Sequence, residues 1–255
     1  MIFIKANMSA SLFDFMSIGG ILHFTCTHGF VYYLNFLKFK ESARDYVDGI
    51  LSFKRFPTVF ICDIAGQVAS HLSNRTESKY FQDDLLGRLE RVTDENMEDA
   101  EGKTLEVEPD WIRLLKVASA REKNVDLEDD RFTARHPITN TSQRFILYDR
   151  FHQKNQTRRE ELLRSLDICP ELRALINSSA SEQFNRCLKN ILYSTNELKQ
   201  STFLFMVRTY VKMRNMKINN AFTRKIQSCY DHSLGVGHMG FLTLEDPGKF
   251  LIFFK

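Results

Sequence analysis

A chain of 255 residues with 43% hydrophobic and 12% aromatic side chains can bury the core of one large or two small domains, which excludes a disordered tail. The formal net charge of +3 conceals an asymmetry: residues 75–131 hold 17 acids against 10 bases (net −7), and residues 132–255 hold 10 acids against 19 bases (net +9). Such a division fits contact with a polyanion on the basic side, or equally a solvated acidic insertion beside an ordinary basic surface.

The N-terminal stretch "MIFIKANMSASLFDFMSIGGILHF" is apolar but broken by Lys5, Asn7 and Asp14. It contains no run of the roughly 18 apolar residues that a membrane span needs, nor a compact apolar region ending in a small-residue cleavage site. Residues 1–25 therefore receive no element. "GFVYYLNFLKF", residues 29–39, has strand composition, and "KESARDYVDGILSFKRF" repeats apolar residues near a 3.6 period, predicting an amphipathic helix stopped by Pro57. A buried strand over Thr58–Asp63 and a helix "AGQVASHLSNR" follow. Strand, helix, strand, helix predicts parallel pairing through crossovers. Residues 75–131 read as an acidic insertion outside the sheet, with short helices around Leu85–Leu89 and Trp111–Ala120 and few core contacts. "RFILYDRFH", residues 144–152, returns to strand character. "PELRALINSSASEQFNRCLKNILYS" reads as a long helix interrupted near Asn177–Ser181, and another helix spans about Ser201–Met216. Residues 226–255 have no place in this scheme. Five cysteines, Cys26, Cys62, Cys169, Cys187 and Cys229, are odd in number and form no C-x-x-C pair. They point to reduced thiols in an intracellular protein, nuclear or cytoplasmic.

Val59, Phe60, Ile61 and Cys62 are all apolar, and the run ends on Asp63. An ionised carboxylate is costly to bury unless it is paired or bound to metal, and strand ends are where open α/β sheets place ligands. Asp is also a preferred N-cap. Asp63 thus reads either as the cap of the next helix or as a ligand at the strand's end.

"FICDIAGQVASHL", then "YDRFHQKN", then "NSSASEQFNRCLKNI" with "TFLFMVR" resembles, over about residues 26–220, the Kyakuja–Dileera–Zisupton (KDZ) group of transposases, and within it a vertebrate, fish-rich branch related to HMG-domain-containing proteins. The resemblance implies a DDE transposase on a ribonuclease-H-like α/β fold: a mixed sheet flanked by helices over residues 26–225, with the acidic insertion inside it and the N-terminal strands incomplete. It implies one acid on the first strand, a second at the end of the fourth and a third on a late helix, holding the two Mg²⁺ or Mn²⁺ ions that clamp an in-line displacement at phosphorus. Asp63 matches the second acid and Glu182 the third. The first is missing, since Asp14 is the only acid before Glu41 and its surroundings do not match. The family pattern's second His and Cys are here Gln156 and Arg159, and its DNA-binding module is absent.

Asp149 and His152 read as a pair supporting a metal site, or equally as a strand-end cap and a surface His. His28 and His71 read as structural, and Cys62 as a small buried hydrophobe. Arg208, Lys212, Arg214 and Lys217, with Arg224 and Lys225, recur at helical spacing and could follow a DNA backbone or simply form an exposed helix face. "GVGHMG" lacks the ending of a phosphate loop. The expected function is a transposase-derived domain that has lost catalysis and serves in DNA or protein binding, with no membrane partner. An active nuclease fragment and an unrelated α/β interaction protein are the alternatives.

Overall fold

The computed structural model describes residues 2–8, 20–81, 83–117, 131–133, 135, 140–149, 158–176, 180–193, 199–230, 234–236 and 242–244. Strands β1 (Ile2–Met8), β2 (Gly20–Cys26) and β3 (Val31–Leu37) are followed by helix α1 (Ala43–Ser52), strand β4 (Val59–Cys62) and helix α2 (Ala65–Arg75). Helices α3 (Asp94–Gly102) and α4 (Asp110–Val117) precede strand β5 (Phe145–Tyr148). A 3-10 segment over Arg159–Arg164 leads into α5 (Pro170–Leu175), α6 (Ala180–Tyr193) and α7 (Gln200–Tyr230). Strands β6 (Leu234–Val236) and β7 (Leu242–Leu244) form a separate antiparallel pair.

Five strands form one mixed sheet in the order β3-β2-β1-β4-β5. β2 is antiparallel to both its neighbours, while β4 is parallel to both of its own. Side chains alternate across the sheet, and the core divides accordingly. Leu22, Phe24, Phe60, Cys62, Ile146 and Tyr148 pack with α1 and α2 on one face. On the other, Val59, Ile61, Phe145 and Leu147 meet Trp111, Ile112 and Leu172, and Ile21 meets Phe184 and Leu188 of α6 and Phe203 and Val207 of α7. The chain is a three-layer mixed α/β structure, and among the described residues no helix is long and apolar enough to cross a membrane.

β3, α1, β4, α2, β5 and the split between α5 and α6 follow the sequence patterns. Residues 1–26, which received no element from the sequence, supply β1 and β2, and these run antiparallel to each other and on to β3. β2 escaped notice although all seven of its residues are buried, because its inward His23 and Thr25 find their partners only far away in the chain, on α6. The expected helix at Leu85–Leu89 is a set of turns: Leu86 (φ 50°) and Gly87 (φ 76°) lie in the left-handed region, which a right-handed helix excludes. The acidic insertion supplies no strand among its described residues, as expected. It does not stay clear of the core, however, because Tyr80, Phe81, Leu89, Trp111 and Ile112 are buried. Average charge density hid these separate apolar anchors.

At Gly49, α1 lies close against the sheet. A Cβ there would lie 2.4 Å from Cε2 of Phe24 and 3.0 Å from Cε1 of Tyr33. Gly→Ala inside a helix ordinarily gains about 0.5–1 kcal/mol, whereas overpacking a filled core costs about 1–3 kcal/mol. The steric term wins, so Gly49→Ala should lower stability, read as a reduced midpoint in urea unfolding.

Candidate functional site at the ends of β4 and β5

Register decides what meets at the carboxyl end of the sheet. Cys62 pairs with Tyr148, and the Asp149 N–H continues the ladder by donating to the Cys62 carbonyl at 3.2 Å. Asp63 and Asp149 therefore stand side by side one step beyond the pair, on strands about 5 Å apart. On the opposite edge of β4, Ile4 pairs with Ile61. Continuing that register brings Ala6 level with Asp63. The β1 sequence, IFIKANM, contains no Asp or Glu.

Asp63 is half-buried, and its Oδ1 accepts a hydrogen bond from the Tyr46 hydroxyl at 3.0 Å. The same hydroxyl lies 3.1 Å from Oε2 of Glu41, so two carboxylates share one phenolic proton. Burial, followed by the nearby Cys62, Asp63 and Glu41, pushes the Tyr46 phenol far above its ordinary value and keeps it a donor. Asp63 is not the cap of α2. The N-cap is Ile64, which has no capping side chain.

The start of α2 is served differently. The Gly66 N–H donates to the Tyr148 hydroxyl oxygen at 3.1 Å, and that hydroxyl donates to Oε2 of Glu161 at 3.0 Å. A Cβ on Gly66 would lie 2.4 Å from the same Oε2, so the carboxylate rests against the helix N-terminus, where negative charge is favoured. Arg164, 1% exposed, closes the cluster. Its Nε donates to Glu161 Oε2 at 3.1 Å, and its two terminal nitrogens donate to the carbonyls of Ile146 (3.1 Å) and Leu86 (3.0 Å). Arg88 lies 3.7 Å from Oε1 of Glu161. Burial lowers the Arg164 pKa while Glu161 opposes the shift. Burial and then Glu161 outweigh the Gly66 N–H in raising Tyr148. Sequence reasoning missed this cluster. The available signal was Glu161 and Arg164 three residues apart, around Leu162 and Leu163.

Glu182 lies in the first turn of α6 and is exposed. That helix turns Ser181, Phe184, Asn185 and Leu188 inward instead. Ser181 Oγ is 2.7 Å from Thr25 Oγ1, Asn185 Oδ1 is 2.9 Å from His23 Nε2, and Phe184 meets His23 edge-on. α6 crosses β1 and β2 on the face opposite α1 and α2. The structure thus brings Asp63 and Asp149 together. Among the described residues, no group of three or more His, Cys, Asp or Glu side chains is placed to hold a metal ion. His152 lies outside the described residues.

Of the basic series on α7, Arg208, Lys212 and Lys217 are exposed. Arg214 is half-buried, donates to the Gly29 carbonyl and lies 5.3 Å above the Phe184 ring. It is a packing residue as much as a surface cation. The described cysteines, Cys26, Cys62, Cys169 and Cys187, are free thiols. No family model, curated protein or solved structure matches the chain.

The buried cluster predicts an asymmetry between single and double replacement. Arg164→Met takes the hydrogen-bonded cation away from buried Glu161, leaving it the Tyr148 hydroxyl and Arg88 at 3.7 Å, and should cost about 3 kcal/mol, the low end for breaking a buried pair. Glu161→Gln combined with Arg164→Met removes both charges and should cost clearly less than the sum of the single changes, measured as a double-mutant cycle in urea.

Proposed function

We propose that this chain is a transposase-derived, ribonuclease-H-like domain that no longer cuts DNA and serves as a binding module. The observation that carries the reading is the placement of its first and fourth strands. The resemblance implies acids on the first strand, the end of the fourth and a late helix. β1 and β4 are neighbours in the sheet, Asp63 follows β4 directly, and α6 lies across β1.

The same arrangement explains the proposed loss of catalysis. Beside Asp63, where an acid of β1 would complete the set, the register gives Ala6. Asp149 supplies a second carboxylate from β5, Tyr46 already engages Asp63, and Glu182 is exposed. Mg²⁺ gives up its waters reluctantly and needs converging oxygens, and two-metal chemistry needs ligands for both ions. These residues do not fit that requirement, so no reaction step is assigned to a metal. What remains is a rigid sheet carrying an exposed basic helix. Arg208, Lys212 and Lys217 on α7 are available to a polyanion, and DNA is the polyanion the resemblance implies.

With Mg²⁺ or Mn²⁺ on duplex DNA, the expected result is no cleavage or strand transfer, accompanied by weak, salt-sensitive binding. Robust cutting abolished by both Asp63→Ala and Glu182→Ala would overturn the inactive reading.

A further inference from the structure

The outer face of α7 has a pattern that neither the sheet nor DNA contact accounts for. The helix is 31 residues long, about 46 Å at 1.5 Å per residue. It buries Phe203 and Val207 against β2, β3 and α6. On the other side, Phe205 (69%), Met206 (39%), Met213 (65%) and Met216 (56%) are exposed. Scattered exposed apolar residues need no explanation, but the three methionines follow a rule. Met206, Thr209, Met213, Met216, Asn220 and Thr223 are spaced 3, 4, 3, 4 and 3 residues apart, the alternation of a coiled-coil seam. At 3.6 residues per turn this row lies roughly opposite the buried one. Asn220 occupies an inner heptad position, where a polar amide can set register, and Thr209 and Thr223 are the other polar members of the row.

The flanks select the partner. Lys212 precedes Met213, Lys217 follows Met216 and Arg224 follows Thr223, the positions that face across a coiled coil and choose its mate. All three are basic and exposed, while the other flank positions, Phe205, Tyr210 and Asn219, carry no charge. A second copy would set base against base in either helix direction. A phosphate backbone would satisfy the bases but leave three methionines in water. An amphipathic helix with apolar inner positions and Glu on both flanks satisfies both features, and thioether side chains adapt to an unmatched apolar surface.

We propose that the Met206–Thr223 face of α7 is a docking seam for an acidic amphipathic helix of a partner protein. The seam deepens the binding-module reading by naming a partner, and it does not depend on the loss of catalysis. The test uses the full chain and two labelled four-heptad peptides with Leu and Ile at the inner positions, one carrying Glu on both flanks and the other Lys. Fluorescence anisotropy should show binding of the Glu peptide, weakened by salt, and none of the Lys peptide. Met213→Glu/Met216→Glu should weaken it at least about ten-fold. Lys212→Glu/Lys217→Glu should shift preference toward the Lys peptide, an outcome that a merely unfolded variant would not give. Equal binding of both peptides, or none of either, would overturn the proposal. Self-association broken by the methionine changes, or duplex DNA binding without peptide binding, would reassign the face and overturn it as well.

Discussion

The parallel pairing of β4 with β1 on one side and β5 on the other is the constraint on which the site depends. Side chains alternate with a strict period of two, so a slip of one residue would turn every strand side chain to the other face. The register is held by burial. Phe60 and Cys62 belong to the core under α1 and α2, while Val59 and Ile61 belong to the core on the opposite face. With both faces filled, neither set can be exchanged for the other. Asp63 emerges at one height, next to Asp149 and level with Ala6, and the chemistry available there follows from those three identities.

Behind that edge lies a buried ion pair. Glu161 and Arg164 bury opposite charges whose desolvation a single ion pair does not generally recover. Here the deficit is met by hydrogen bonds. Tyr148 and Arg164 donate to the carboxylate, and the backbone carbonyls of Ile146 and Leu86 accept from the guanidinium. The partners come from β5, the turn between α2 and α3 and the 3-10 segment, and Gly66 adds the start of α2. One cluster therefore ties four separate segments together at the end of the sheet. It accounts for a bare glycine at Gly66, where any Cβ would meet the carboxylate.

Legibility in the sequence tracked the local signal. The amphipathic period of α1, the Pro57 stop and the apolar run ending at Asp63 are local, and each predicted its element. β2 was hidden because a doubly covered strand carries His23 and Thr25 inward, where Asn185 and Ser181 satisfy them from α6. That partnership spans more than 150 residues and has no local trace. Asp63 and Asp149 were legible because each ends an apolar run. Their adjacency was not, since strand order is a property of the whole chain. Glu161 and Arg164 were passed over because charged residues are ordinarily exposed, and only a tertiary partner set makes their burial tolerable. Arg214 drew attention as one of a basic series, but its packing over Phe184 could not be seen from helical spacing.

The functional account reduces to a count of carboxylates at one sheet edge, and Mn²⁺ titration followed by its paramagnetic signal measures that count most directly. Wild-type protein should show only weak binding that is sensitive to Asp63→Asn and Asp149→Asn and indifferent to Glu182→Gln. Ala6→Asp, which returns an acid to the β1 position level with Asp63, should tighten that binding by about ten-fold or more. Micromolar binding to the wild-type chain, lost in both Asp63→Asn and Glu182→Gln, would show that a complete site assembles without an acid on β1 and would contradict the account.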